Sequence, residues 1–194
     1  MDSRTKRFSK LLFGVAAIAA AFLVAPVSGQ NVKESFTGFA INMNGGGGTA
    51  TIDFTIQRWS TDEERETLLK IIRENKNPTD KLLSAVQKLP KVGWIRTTNS
   101  LSWDLHYARE SPLDEGGRQI VVGTDRPIGF AEARNSGRSM DYPFTIVDFH
   151  LNKDDEGQGK IMTATKIYVD KKNNIVLENW GQQPVRFNEI KKVK

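Results

Sequence analysis

The chain of 194 residues contains no cysteine. That excludes disulfide staples, thiolate metal sites and thiol nucleophiles together. Histidine is nearly as scarce, with two copies, His106 and His150. There is no His-Glu-x-x-His, no Gly-x-Ser-x-Gly elbow and no dinucleotide-binding glycine fingerprint, so the common hydrolase and redox chemistries have no foothold. No cofactor is expected. An excess of charge of one sign is also lacking along most of the chain. The one dense basic block is the expected frayed end Lys191-Lys192-Val193-Lys194, whereas nucleic-acid binding wants a cationic stripe interleaved with aromatics. A nucleic-acid partner is not expected. The only Asn-x-Thr/Ser triplet is Asn77-Pro78-Thr79, which its proline disqualifies as a glycosylation acceptor.

What is present begins with a leader. Arg4, Lys6, Arg7 and Lys10 precede an apolar run from Leu11 to Ala25, which stops at Pro26 and is followed by Val27-Ser28-Gly29. Basic head, apolar centre and small residues at a cleavage point are the order of a secretory signal peptide. The run falls short of the ~20 residues that cross a bilayer comfortably, so no stable membrane span is expected after cleavage. Cleavage after Gly29 is the expectation, with residues 30–194 forming one β-rich domain. The leader holds four of the 28 basic and one of the 23 acidic residues, leaving 24 against 22. The formal charge of +5 is therefore partly that of the leader. About 165 residues can bury roughly 70 per cent of their unfolded surface, enough for a core without staples.

The patterning predicts an α+β fold, mainly antiparallel β: a curved sheet or barrel-like meander with an inserted two-helix hairpin. Ser35 to Met43 is β-rich, Asn44 to Gly48 breaks it, and Ala50 to Gln57 alternates strictly, with Ala50, Ile52, Phe54 and Ile56 on one face. The glycine run reads as a hairpin turn, because no Lys-Ser/Thr follows it and it leads into a strand. The helical insertion spans about 61–89. Thr61 and Glu64 form a capping box, and Leu68, Leu69, Ile71 and Ile72 give a buried face. Pro78-Thr79 starts the second helix, with Leu82, Leu83, Val86 and Leu89 as its stripe and Pro90 as its stop. Polar faces of mixed sign favour packing on the sheet over lying in a membrane. Strands then recur about every ten residues: Trp94 to Thr97, a run in which Trp103, Leu105 and Tyr107 share a face, Arg118 to Gly123, Asp141 to Leu151, Lys160 to Val169, Ile175 to Trp180 and Val185 to Ile190. Trp59, Trp94, Trp103 and Trp180 read as core or rim aromatics.

Thr124-Asp125-Arg126-Pro127-Ile128, Phe130-Ala131-Glu132, Arg134, Arg138-Ser139 and Asp141-Tyr142-Pro143-Phe144 carry a resemblance. So do Gly157-Gln158-Gly159, Leu177-Glu178-Asn179 and Pro184-Val185-Arg186. On these residues the chain resembles an uncharacterised family of exported bacterial proteins, over most of its length after the leader. The resemblance implies a periplasmic or extracellular bacterial protein and brings no activity, ligand or catalytic residue with it. A lipocalin relationship is not adopted, since the first strand lacks their Gly-x-Trp and the helices sit elsewhere.

Three features are candidates for function. The first is an irregular stretch in which Asp125, Arg126, Glu132, Arg134 and Arg138 crowd beside Phe130 and Tyr142. Such groups either line a binding mouth or form an ion-pair network that holds a bent segment. The second is a pair of Asp-x-His motifs, Asp104/His106 and Asp148/His150. Residues two apart on a strand point the same way, so neighbouring strands would converge two imidazoles and two carboxylates on a metal. Solvated polar faces are the plainer reading of the same residues. The third, Asn152 to Gly157, has oxygen groups at calcium-loop spacing but lacks the closing glutamate, so a hairpin turn is favoured. Together these readings favour a binding or interaction module for a small apolar ligand or an envelope partner over catalysis. A metal-dependent enzyme and a structural envelope protein are the alternatives.

Overall fold

Alternation of apolar and polar residues builds the first hairpin. In the computed structural model β1 (Asn31–Asn42) pairs antiparallel with β2 (Gly48–Arg58) in a register that sets Phe36 opposite Phe54 and Ala40 opposite Ala50. The structure describes residues 31–43, 48–98, 100–114, 116–128, 142–171, 174–179 and 183–193. The leader, the glycines between Asn44 and Gly47, Gly129, Phe130, Glu132, Arg134, Gly137, Arg138 and Trp180 lie outside the described residues.

After β2 come α1 (Asp62–Glu74) and α2 (Thr79–Val86). Eight strands follow: β3 (Gly93–Thr97), β4 (Trp103–Leu105), β5 (Tyr107–Pro112), β6 (Arg118–Thr124), β7 (Phe144–Leu151), β8 (Glu156–Val169), β9 (Ile175–Glu178) and β10 (Val185–Val193). The ten strands among the described residues join one antiparallel sheet in the order β4-β3-β2-β1-β10-β8-β7-β6-β5, with β9 added to the far part of β8. β4 and β5, at the two ends of that order, are consecutive in the chain. The sheet therefore curls into a nearly closed, barrel-like meander, and the His106 amide donates to the Gly123 carbonyl at the junction (3.0 Å).

This junction corrects one expectation. Trp103, Leu105 and Tyr107 were expected to share a face, but the run breaks at His106. Leu105 and Ala108 both face the interior and are fully buried, three residues apart instead of two. The extra residue lets the first half pair with β3 and the second with β6, and it turns Tyr107 to the outer wall. The basic tail is likewise strand, not frayed: Lys191 and Lys192 pair with Thr37 and Phe36. α2 ends at Val86 instead of reaching Pro90, finishing in a tight turn in which the Lys88 and Leu89 amides donate to Ala85 and Val86.

The inward residues of the strands make the main core. At its centre Phe36 stacks on Phe54 (4.9 Å between ring centres), and Phe149 meets both edge-on at 5.7 and 5.0 Å. Phe187 lies 6.0 Å from Phe54 and 6.4 Å from Phe149. Edge-to-face and offset stacking of this kind fits the quadrupoles of the rings. Gly38 makes it possible, since a Cβ there would come within 2.7 Å of the Phe187 ring. Gly159, opposite both Phe149 and Phe187, leaves room in the same way.

Both ends of the barrel are stopped. At one end Ile128 is buried in the core, and its amide donates to the Thr145 hydroxyl (2.8 Å), which itself donates to the Thr163 carbonyl (2.9 Å). At the other, Arg118 reaches over the Phe36 ring to Glu34 (2.6 Å), Glu110 (3.0 Å) and Asp155 (2.8 Å), and Lys192 adds a second cation 3.0 Å from Glu34. Asp155 adopts φ 59°, the left-handed conformation that aspartate tolerates in turns.

The helices pack on the outer wall. Thr61 caps α1, Glu64 returns the bond to the Thr61 amide (2.9 Å), and Arg58 grips Glu64 at 2.9 and 3.0 Å. That anchors the helix to the end of β2. Leu68, Ile72, Leu82 and Val86 then form a second core with Phe144 and Ile167 from the sheet.

Candidate functional site

The two cores differ in how well they fill. Helix spacing puts Arg65, Leu68, Leu69 and Ile72 along one side of α1, and Leu82 and Val86 along the facing side of α2. The wall beneath presents Tyr107, Val121, Gly123, Phe144, Ile146 and Ile167. Between them lies a cavity of about 170 Å³, lined by these residues with Val122 and Thr124. Gly123 supplies no side chain at the floor, and a Cβ there would meet Tyr107 at 3.6 Å, ordinary contact. The glycine therefore widens the space without being demanded by the backbone.

Polar groups stand at one end. Arg65 and Tyr107 both line the cavity, and the Arg65 guanidinium forms an ion pair with Glu66 (2.6 Å). Arg109 lies near Tyr107 too, held by Asp62 (2.5 Å). Burial pushes the Tyr107 phenol up, against the opposing pull of the two arginines. The hydroxyl stays protonated at neutral pH and is a hydrogen-bond donor as well as an acceptor.

The irregular stretch is only partly described. Asp125 is buried and takes two bonds from Arg126, at 3.1 and 3.5 Å, while the Arg126 guanidinium reaches solvent. The Arg126 pKa is raised by its hydrogen bond and charge interaction with Asp125. Tyr142 donates to Glu178 on β9 (3.2 Å). These contacts fit the reading of charges that hold a bent segment. Thr124, next to Asp125, connects the stretch to the cavity.

The Asp-x-His pairs stand apart. β4 pairs with β3, whereas β7 lies between β6 and β8. Asp104 is taken by Lys91 (2.5 Å). His106 Nδ1 sits 3.1 Å from the Leu89 carbonyl, an atom that only accepts, so this nitrogen carries the proton. Asp148 accepts from Gln119 (2.7 Å), and His150 Nε2 lies 3.7 Å from the same carboxylate on the outer face. Among the described residues no three or more such side chains are grouped to hold a metal. The convergence that the metal alternative requires is not formed, because the order of strands separates β4 from β7. Asn152 likewise spends its side-chain oxygen on the amides of its own turn, Asp154 (2.9 Å) and Glu156 (3.1 Å).

Comparisons with known protein families, with curated proteins and with solved structures return no match. The site must therefore be judged on its own chemistry. Arg65 and Tyr107, its polar groups, were not among the candidates read from the sequence. Tyr107 was expected to face inward, and the helix polar faces were read only as carrying charges of both signs.

Proposed function

We propose that the chain is an exported binding module that takes a small apolar ligand between its helix pair and its sheet. The single observation that carries this reading is the apolar cavity of about 170 Å³ under α1 and α2. Its size is below the ~300 Å³ of pockets for drug-sized ligands, and near the ~150 Å³ at which an apolar cavity stays dry and takes up benzene. With so few ligand atoms, affinity is modest, with a dissociation constant on the order of 0.1–1 mM. The N-terminal pattern from Arg4 to Gly29 supports export, and the resemblance to exported bacterial proteins supports a place in the envelope.

The test is a titration of the purified protein with benzene, read by methyl shifts of Leu68, Leu82 and Ile146 and by thermal stabilisation. Saturable shifts confined to those residues are expected, and Leu69→Trp, which fills the space, should abolish them while the protein stays folded. Shifts absent from the parent protein, or unaltered in that variant, would remove this reading.

A partner protein is the second reading, and β9 favours it. Among the described residues β9 pairs only with β8, and it exposes Ile175 (41 %) and Leu177 (44 %). A free apolar edge is a template for strand addition. Concentration-dependent sedimentation tests whether that partner is a second copy.

A further inference from the structure

The lining of the cavity is uneven, and the unevenness describes the ligand. Along α1, Arg65 comes first, Leu68 and Leu69 one turn on, and Ile72 one turn beyond. Seven residues of helix span about 10 Å. At the far end Ile72, Leu82 and Ile167 offer only hydrocarbon. At the near end stand Arg65, the single cationic group of the lining among the described residues, and Tyr107 with its hydroxyl. Among the described residues the lining holds no carboxylate. Arg65 pairs outward with Glu66, but both side chains are well exposed, at 43 % and 59 %, and such pairs hold weakly. A guanidinium has five donors in a fork that matches a carboxylate, and Glu66 occupies only part of it.

Resting on the cavity reading above, we infer that the ligand is an amphipathic monoanion, a short carboxylic acid of about six to eight carbons. Its carboxylate sits on Arg65 and Tyr107, and its chain runs beneath α1 toward Ile72 and Ile167. The charge stays at the rim, where water still reaches the arginine, so the acid keeps its ionised form without a buried, unpaired charge. The tail meets hydrocarbon, since the other polar side chain of the described lining, Thr124, already spends its hydroxyl on the Arg126 and Thr145 backbone.

The probes are hexanoate and 1-hexanol, titrated by calorimetry into the full protein, into Arg65→Gln and Arg65→Lys, and into Leu69→Trp. Hexanoate should bind at least ~10-fold tighter than hexanol, the usual weight of one good charge-assisted contact. Arg65→Gln should bring the two within about twofold, with hexanol unchanged, and Arg65→Lys should fall between. Because Arg65 is a surface position on a capped helix, near-ultraviolet circular dichroism of each variant should match the parent. Equal binding of acid and alcohol by the parent protein would overturn the anionic inference and leave the apolar cavity standing. Binding of neither, or of both equally in Leu69→Trp, would overturn the cavity reading itself.

Discussion

The inside of the barrel and the wall beneath the helices are both apolar, yet they have opposite characters. Inside, Phe36, Phe54, Phe149 and Phe187 interlock, and the ends are stopped by Ile128 and by the charges around Arg118. Outside, two short helices rest on a wall with a glycine at its centre, and the fit leaves about 170 Å³. A barrel of this kind suggests that a ligand belongs in its interior, as in many small barrels. Here the interior is spent on stability, and the space is left where a helix hairpin meets a curved sheet. The lesson is that two rigid surfaces of different curvature do not close as well as strands of a single sheet, whose side chains interdigitate around a common axis.

The contrast can be broken by truncation on each side. Phe149→Ala should destabilise the protein by about 3–5 kcal/mol, because the space it leaves is walled by three other rings. Ile146→Ala, at the edge of the existing cavity, should remove only about 1–2 kcal/mol, since the side chain already lacks neighbours on one side. Urea unfolding measures both. Equal losses would mean that the two cores are packed alike.

A second difference is acid sensitivity. Burial pushes the Glu34 carboxyl up, but hydrogen bonds and charge from Arg118 and Lys192 outweigh it, and the net shift is downward. Such a group adds stability that is present above its ordinary value of about 4.5 and is lost as pH falls through the lower folded value. Unfolding free energy should therefore drop as acid is added below pH ~4.5, and Glu34→Gln should flatten that slope while lowering stability at pH 7. A steep, unchanged slope in the variant would place the acid-labile group elsewhere. Arg118 itself is held above the usual arginine range, burial being outweighed by Glu34, Glu110 and Asp155, so it stays charged throughout.

The smallest effect is expected on the polar part of the outer wall. His106→Ala and His150→Ala should each alter stability by no more than about 0.5–1 kcal/mol, and the double variant should be additive. Coupling that appears only when zinc is added would restore the metal alternative that the strand order argues against.

Much of the fold was legible because it follows from local periodicity. The alternation from Ala50 to Gln57 fixed which side chains of β2 face inward. The Thr61/Glu64 box, present at 2.9 and 3.1 Å, marked the start of α1. Val147, Phe149 and Leu151 share the inner face as their spacing predicts. The break at His106 was not legible, because a one-residue insertion leaves the composition of the run unchanged and reverses the facing of the later residues alone. Arg118 shows the same limit: in the chain it comes after a Gly-Gly turn as an ordinary strand residue, and its partners Glu34 and Asp155 are 84 and 37 positions away.

The amino-acid sequence alone determined the alternation of strand and helix, the faces that must be buried and the absence of any covalent staple, because each depends on neighbours a few residues apart. The tertiary structure decided which ends meet to bend the sheet round, which charges stop the barrel and where the unfilled space falls. Those outcomes depend on how separately formed surfaces fit together, and fit is a property of pairs of elements that no single stretch of chain contains.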